Sequence, residues 1–117
     1  MDSLQNQKCE PCRSDSSSLS IDEARQLLVD IPGWKIESYD GVYRLIKKFN
    51  FDSFRSAFQF AAKISDIAEQ EDHHPLITVE WGKATVHWWT HSISGLHQND
   101  FIMAAKTDRS LTDSPVD

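Results

Sequence analysis

Three histidines and a carboxylate stand close to one predicted junction between a helix and a strand. Glu69, His73 and His74 precede a run of alternating residues, and His91 follows that run. Imidazole changes its charge near neutral pH, so a positioned histidine can both take and give a proton. This arrangement indicates general acid–base chemistry in a single cleft.

The junction itself should bring His73 and His74 into that cleft. Glu69 lies four residues before His73, on the same face of a helix, where its carboxylate can hydrogen-bond the imidazole and fix its tautomer. Pro75 pushes His74 away from helical backbone and towards an extended conformation. We therefore expect the helix to end here, so that one imidazole enters from the helix end and the other from the strand start.

A hairpin predicted after Pro75 supplies the third imidazole. With a turn at Gly82 and Lys83, its two strands place six apolar residues on one face: Ile77, Val79, Trp81, Ala84, Val86 and Trp88. A slip of one residue would put each apolar set on the wrong face, which favours this register. The register places His74 opposite His91, with their Cβ atoms about 4.5 to 5.5 Å apart.

Two other interpretations of these histidines stay open. A single histidine at a helix end is commonly a cap. Alternatively, His73, His74 and His91 could form a three-histidine zinc site. Adjacent histidines are awkward ligands for one metal and no metal motif accompanies them, so we favour acid–base chemistry without a metal. His87 and His97 are expected at the surface.

The tryptophans divide between the core and the cleft. Trp81 and Trp88 belong to the apolar face of the hairpin and are expected in the core. Trp34 and Trp89 could instead stack on a flat ligand beside a polar cleft.

Caps and turns place the first elements of the fold. Ser20 can cap a helix that runs from Ile21 to Asp30. The Asp40–Gly41 dipeptide separates two alternating runs, as the loop of a two-residue hairpin does. That register sets Glu37 opposite Arg44, a favourable cross-strand charge pair.

Two further helices complete the predicted fold. The longest begins after Asp52, its predicted cap, and its apolar stripe at helical spacing is Phe54, Ala57, Phe58, Ala61, Ile64 and Ala68. The last runs from about Ser94 to Lys106, with Leu96, Phe101 and Met103 turned inward. The order α-β-β-α-β-β-α predicts an α+β fold, a single domain with an antiparallel four-stranded sheet and helices packed on one face.

Net charge limits the classes of partner, and the distribution of apolar residues predicts where the folded domain begins and ends. Lys and Arg number 12 against 18 Asp and Glu, a net charge of −6, which disfavours nucleic acid and anionic membranes as partners. Residues 1–19 are predicted to be a disordered leader, residues 20–107 the folded domain and residues 108–117 a flexible tail. Without a signal-like or spanning segment, the chain is predicted to be cytoplasmic.

Two cysteines in the leader have the spacing of a reactive pair. Cys9 and Cys12 form C-x-x-C, but the sequence around them is polar and rich in serine. A redox motif would follow a strand and open a helix, and structural zinc would need two further ligands. We therefore expect an incidental pair, with redox activity or metal capture as the alternatives.

Seven positions carry a resemblance to a known family: Glu69, His73, His74, Pro75, Trp81, His91 and Asp100. Their types and spacing resemble the signature of the pterin-4a-carbinolamine dehydratases. The likeness extends outward through Gly33–Trp34 and the stretches FDSFRSAFQF and THSISGLHQND. It covers about residues 20–107 and is nearer to bacterial than to animal members.

The resemblance implies a lyase that removes water from 4a-hydroxytetrahydropterin to give quinonoid dihydropterin. Such an enzyme regenerates the pterin cofactor of aromatic amino acid hydroxylases, phenylalanine hydroxylase among them. It implies neither a metal nor an organic cofactor. Elimination of water needs one proton taken from a ring nitrogen and another delivered to the leaving hydroxyl, which suits two imidazoles.

Carried over by position, the resemblance implies a catalytic set consisting of His73, His74 and His91. The first and the last would transfer protons, and His74 would also bind and orient the pterin. Glu69 and Asp100 would fix and polarise the imidazoles, as carboxylates do in many histidine sites. Trp34 and Pro75 would border the pterin ring.

One departure and one alternative accompany the resemblance. Ile77 stands where animal members typically carry an aromatic residue, which leaves the preferred pterin side chain open. The resemblance also implies self-association as a homodimer or homotetramer. Because animal members act as dimerisation partners of a homeodomain transcription factor, the alternative function is a non-catalytic binding or regulatory protein, with a hydroxylase or a transcription factor as its partner.

Overall fold

Three α-helices of the described chain lie against one face of an antiparallel four-stranded sheet. The structure, a computed structural model, describes residues 4–7, 9 and 18–112. Its helices are α1 (Ile21–Leu28), α2 (Phe54–Glu71) and α3 (Gln98–Thr112), and its strands are β1 (Lys35–Tyr39), β2 (Val42–Asn50), β3 (Leu76–Glu80) and β4 (Lys83–Trp88). The strands lie in the order β1-β2-β4-β3. The predicted fold class and order of elements are confirmed.

Helix α1 begins at the predicted cap. The Ser20 hydroxyl accepts a hydrogen bond from the Glu23 backbone N–H at 3.1 Å, and the Glu23 carboxylate accepts one from the Ser20 N–H at 2.9 Å. This reciprocal pair is a capping box, and the Ser20 hydrogen bonds lower the pKa of Glu23. The helix ends at Leu28, two residues earlier than predicted, because the Asp30 N–H turns back to the Leu27 carbonyl at 3.0 Å.

The first hairpin has the predicted loop and register. Asp40 and Gly41 have φ angles of 52° and 80°, and positive φ at both loop residues is the geometry of a type I′ turn. Glu37 lies directly opposite Arg44 in the register, as predicted, but within the described residues the two side chains form no ion pair.

The second hairpin is displaced by two residues from its predicted register. Leu76 pairs with His87 and Val79 with Ala84, so the loop consists of Trp81 and Gly82. The loop forms there because the Gly82 carbonyl accepts a hydrogen bond from the Phe51 N–H at 2.8 Å. A Cβ on residue 82 would also lie 3.1 Å from the Phe51 carbonyl oxygen, and φ there is +73°, so this close approach favours glycine.

This displacement overturns two predictions. Trp81 leaves the predicted core and is 71% exposed in the turn. His74 cannot lie opposite His91, because the observed pairing would continue to Trp89 instead. The shift by two residues preserves the inward face of each strand, since side chains alternate with a period of two. Val86 and Trp88 are accordingly fully buried, as predicted.

Helix α2 packs through a stripe that keeps Ala57, Ile64 and Ala68 of the predicted one but exchanges its phenylalanines. Its cap is Ser53, whose hydroxyl accepts from the Ser56 N–H at 3.0 Å, and not Asp52. The buried residues are Ala57, Phe60, Ile64 and Ala68. Phe54 and Phe58 were predicted to be inward but are 48% and 59% exposed. The Phe60 ring is the one that meets the sheet, with its centroid 4.7 Å from that of Phe49.

The two ends of the described chain meet on α3. A short 3-10 helix, Leu4–Asn6, contacts α3, and the Cys9 N–H donates to the Glu71 carboxylate at 2.8 Å. Helix α3 extends to Thr112, into the stretch predicted as a tail.

Cys12 lies outside the described residues, and the predicted domain bounds stay a prediction. None of the described helices is both long enough and apolar enough to cross a membrane.

Trp34 forms part of the core beneath the sheet. Its side chain is 4% exposed and packs edge to face against Phe49, with ring centroids 6.0 Å apart. The indole N–H donates to the Asp108 carboxylate at 3.0 Å, and Lys47 binds the other oxygen of that carboxylate at 2.8 Å. Trp34 therefore ties the start of β1 to α3.

We predict that Trp34→Phe lowers the free energy of unfolding by about 1–3 kcal/mol, because a smaller aromatic ring replaces the indole and the hydrogen bond to the charged Asp108 is lost. Urea denaturation measures this change. The matched control is Trp81→Phe, at an exposed turn position, for which we expect a change below about 0.5 kcal/mol. Equal effects of the two substitutions would contradict a structural role for Trp34.

Candidate active site

A buried carboxylate forms the base of the site. Asp100 lies in the first turn of α3 and is fully buried. One carboxylate oxygen accepts hydrogen bonds from the Thr90 hydroxyl at 2.8 Å and from the His97 backbone N–H at 2.9 Å. The other oxygen contacts His73 Nε2 at 2.7 Å. These three donors stabilise a charge that would be strongly unfavourable if it were buried alone.

The end of α2 delivers His73 to this carboxylate. Asp72 follows the helix in the left-handed conformation, with φ of 51°, and the His73 N–H donates to the Ala68 carbonyl at 3.2 Å. This is a helix-terminating turn of the kind that reverses chain direction. His73 thus lies just beyond the helix, and its side chain points at Asp100 across the interface between α2 and α3.

The start of α3 fixes the carboxylate from the other side. His97, the residue before the helix, accepts a hydrogen bond at Nδ1 from the Asn99 N–H at 3.0 Å. In return, Asp100 accepts from the His97 N–H. This exchange resembles a capping box in which histidine takes the place of serine or threonine. His97, predicted to be a surface residue, is half-buried and caps α3.

The contact with Asp100 selects one tautomer of His73. An ionised carboxylate only accepts hydrogen bonds, so the hydrogen in this contact belongs to Nε2. Nδ1 has no hydrogen-bond partner among the described residues and is the nitrogen left to exchange a proton. The imidazole also stacks on Trp88, with centroids 5.8 Å apart and planes 17° apart. Trp88 is in turn fixed by its N–H, which donates to Thr107 at 3.0 Å.

Glu69 pairs with His74, and the predicted pairing with His73 is wrong. The Glu69 carboxylate lies 2.5 Å from His74 Nε2, and the two side chains are 73% and 53% exposed. The reason is the left-handed turn at Asp72, which carries His73 out of the helical register before its side chain can align with Glu69. His74 is therefore a surface imidazole with its own carboxylate.

The His91 side chain is positioned by ring stacking in the described part of the chain. The residue begins the short 3-10 helix His91–Ile93, is exposed, and lies parallel to the Trp89 ring, with centroids 4.3 Å apart and planes 10° apart. Within the part of the chain that the structure describes, neither of its ring nitrogens has a hydrogen-bond partner. Both nitrogens are thus open to a ligand or to solvent.

The candidate residues surround the end of β4. His73 stacks on Trp88, His91 stacks on Trp89, and Asp100 binds the Thr90 hydroxyl. No ring contact or hydrogen bond joins two of the three imidazoles among the described residues. Those residues also contain no group of three or more His, Cys, Asp or Glu side chains placed to hold a metal ion.

Pro75 and Trp34, both predicted to border the ligand, lie in different parts of the fold. Pro75 is half-buried between His74 and β3. Trp34 precedes β1, which lies two strand spacings from β4 and three from β3, or about 9 to 15 Å across the sheet. The structure therefore does not bring Trp34 to the histidines. Thr90 was not among the predicted site residues. In the sequence, only its hydroxyl, placed between the end of an apolar strand and His91, could have indicated a role in the site.

A further histidine, His87 on β4, lies on the open face of the sheet. His87 is buried, and burial and the neighbouring Arg44 guanidinium lower its pKa, while Glu37 acts weakly in the opposite direction. Arg44 Nη1 lies 3.3 Å from His87 Nδ1. Since a guanidinium can only donate, Nδ1 accepts this hydrogen bond and the imidazole is neutral.

The chain is similar to proteins of one family over most of its length. The family profile for pterin 4 alpha carbinolamine dehydratase matches residues 17–110. A Saccharophagus degradans protein provisionally named pterin-4-alpha-carbinolamine dehydratase is 47% identical over 109 residues, which is 93% of this chain and 96% of that protein.

Solved structures show the same fold. A Brucella melitensis protein, described as a transcriptional coactivator/pterin dehydratase, superposes with a TM-score of 0.72 at 31% identity, over 80% of this chain and 98% of that one. A pterin dehydratase-like protein identified as a RuBisCO assembly factor in the alpha-carboxysome superposes with a TM-score of 0.58 over 70% of this chain and 93% of that one. At 19% identity, the second likeness is one of fold alone.

We predict that Thr90→Val lowers the free energy of unfolding by about 1–3 kcal/mol, because a nearly isosteric change removes one donor from a fully buried carboxylate. Urea denaturation tests this. Thr78→Val, at an exposed position of β3, is the control and should change stability little. A Thr90 variant as stable as the wild type would show that Asp100 does not depend on this donor.

We also predict a pH dependence of stability from His87. Its pKa is lowered in the folded protein, whereas the unfolded chain titrates near the ordinary value of about 6.5. The contribution to stability is therefore complete above about pH 6.5 and is lost as the pH falls towards the folded pKa. In His87→Asn, whose amide oxygen can still accept from Arg44, stability should fall less between about pH 7 and pH 5. Identical slopes in the two proteins would contradict this assignment.

Proposed function

Because the chain belongs to the pterin 4 alpha carbinolamine dehydratase family, we propose that it removes water from 4a-hydroxytetrahydropterin to form quinonoid dihydropterin. The observation that carries this proposal is the His73–Asp100 pair, at 2.7 Å. It provides an oriented imidazole whose other nitrogen has no hydrogen-bond partner among the described residues, which is what proton transfer requires. No cofactor takes part in the proposed reaction.

The elimination moves two protons. The bond from ring carbon C4a to the hydroxyl oxygen breaks, N5 loses its hydrogen, a C4a=N5 double bond forms, and water departs. We assign removal of the N5 proton to His73 Nδ1. The Asp100 carboxylate would stabilise the imidazolium that results, as buried carboxylates do for catalytic histidines.

His91 and His74 complete the proposed site. His91 delivers a proton to the leaving hydroxyl, a role supported by its exposure and by two ring nitrogens that have no hydrogen-bond partner among the described residues. His74, held by Glu69 at 2.5 Å, binds and orients the polar edge of the pterin. Pro75 borders the ring by virtue of its place between His74 and β3.

The proposed function extends to a cellular partner, a location and an oligomeric state. Its product is the substrate for regeneration of the pterin cofactor, so we propose a functional link to an aromatic amino acid hydroxylase in the cytoplasm. We also propose that the chain forms a homodimer or homotetramer. The exposed rings of Phe54 and Phe58 on α2 support self-association, since large exposed apolar side chains grouped on one face mark interaction surfaces.

A non-catalytic binding role is the second candidate. The Brucella melitensis structure at 31% identity is described as both a transcriptional coactivator and a pterin dehydratase. The same exposed face of α2 would offer a docking surface in that case. A folded chain that does not accelerate dehydration would favour this role.

We predict that His73→Ala and His91→Ala each lower the dehydration rate by about 10²- to 10⁴-fold, the usual contribution of one general acid or base. The substrate is generated by a phenylalanine hydroxylase, and its loss is followed spectroscopically after treatment of every protein with a chelator. Wild-type acceleration over buffer should survive the chelator.

The matched control is His97→Asn. Its amide oxygen can still accept the hydrogen bond that caps α3, and its side chain has no proposed part in the reaction, so the rate should stay within about twofold of wild type. A full rate in either alanine variant would remove that histidine from the mechanism. Absence of any wild-type acceleration would contradict the proposed activity itself.

A further inference from the structure

An arginine on the open face of the sheet holds the ring against which His91 stacks. Arg44 on β2 lies in the cross-strand row that continues to Trp89, because Leu45 pairs with Trp88. The guanidinium carbon is 4.0 Å from the Trp89 ring centroid. This distance is well inside the range in which a cation is attracted to an aromatic face.

Trp89 is consequently held between two flat groups. The His91 ring centroid is 4.3 Å from that of Trp89, and the planes are 10° apart. Two planar groups centred this close to one ring cannot share a face without overlapping. Arg44 and His91 therefore occupy opposite faces of Trp89, and the three groups form one continuous stack, hereafter the Arg44–Trp89–His91 stack.

Ring faces, more than hydrogen bonds, hold the guanidinium in this stack. The Tyr39 ring centroid lies 4.9 Å from the guanidinium carbon, and His87 accepts a hydrogen bond from Arg44 Nη1 at 3.3 Å. Glu37 is directly opposite Arg44 in the sheet, yet the two form no ion pair in the described part of the chain. Arg44 Nε is buried there without a hydrogen-bond partner.

The unpaired Nε of Arg44 indicates that ring contacts are favoured over a further hydrogen bond. A buried unpaired donor is unfavourable, and a turn of the side chain towards Glu37 would offer it an acceptor. The guanidinium carbon instead lies 4.9 Å from the Tyr39 ring centroid and 4.0 Å from that of Trp89. Contact with the rings therefore determines the position of this side chain at the expense of a hydrogen bond.

We propose that Arg44 is a positioning residue for His91, acting through Trp89. His91 is exposed and has no hydrogen bond among the described residues, so the stack is the contact that sets the direction of its ring nitrogens. Without Arg44, one face of Trp89 loses its partner, and both Trp89 and His91 gain freedom. The consequence for the reaction rests on the proposed function of His91 in dehydration.

The first arm of the test is spectroscopic and needs no activity. Ring protons of His91, identified by their loss from the spectrum of His91→Asn, should resonate upfield in the wild type because they lie over the Trp89 ring. In Arg44→Gln they should move towards the positions of a free histidine. In Lys48→Gln, which removes a positive charge from the same face of β2, they should stay where they are.

The second arm is kinetic. Arg44→Gln should lower kcat by about two- to thirty-fold, the range that a lost cation–π contact corresponds to. KM should change less than kcat, because Arg44 is not assigned a contact with the substrate. Arg44→Lys retains the charge without the flat guanidinium and should lie between Arg44→Gln and the wild type in both arms. This variant also carries the test if Arg44→Gln does not fold.

The outcomes separate this proposal from the proposed function. Unmoved His91 resonances in a folded Arg44 variant would overturn the stack, and so would equal movement in Lys48→Gln. Moved resonances with an unchanged kcat would overturn the positioning role. If the wild type shows no dehydration, the proposed function fails, while the resonances still decide whether Arg44 orients His91.

Discussion

The buried carboxylate of Asp100 is the constraint on which the rest of the site depends. A charge removed from water must be surrounded by donors, and here the donors come from three separate parts of the chain. His73 belongs to the junction of α2 and β3, Thr90 follows β4, and the His97 N–H opens α3. The hydrogen bonds to this one carboxylate therefore fix the three parts relative to one another. The same residue, Asp100, both takes part in the capping of α3 and orients His73.

The histidines of the site differ because adjacent tryptophans face opposite sides of the sheet. Trp88 is buried under the helices and stacks against His73, whereas Trp89 points to the open face and stacks against His91. His73 is thereby enclosed and fixed by a hydrogen bond, and His91 is exposed and fixed by ring contact. In the proposed reaction the two kinds of imidazole have different roles, since the enclosed one takes a proton and the exposed one gives a proton.

Much of this could be predicted from the sequence, and the errors have physical causes. Caps and turn residues identified α1 and the first hairpin, because Ser20 and the Asp40–Gly41 loop act locally. Alternation alone could not set the second hairpin, since a shift of two residues leaves every inward face unchanged; the Phe51–Gly82 hydrogen bond decides it. Spacing on a helix likewise could not tell that Asp72 turns His73 away from Glu69 and towards Asp100.

The most direct test of the His73–Asp100 contact is the protonation pattern of His73, measured by nitrogen NMR of the imidazole at a pH where the ring is neutral. We predict that Nε2 carries the hydrogen and Nδ1 is unprotonated, and that this preference weakens in Asp100→Asn, because a neutral amide replaces the charged acceptor. A hydrogen on Nδ1 in the wild-type protein would show that the buried carboxylate does not select the tautomer proposed for proton transfer.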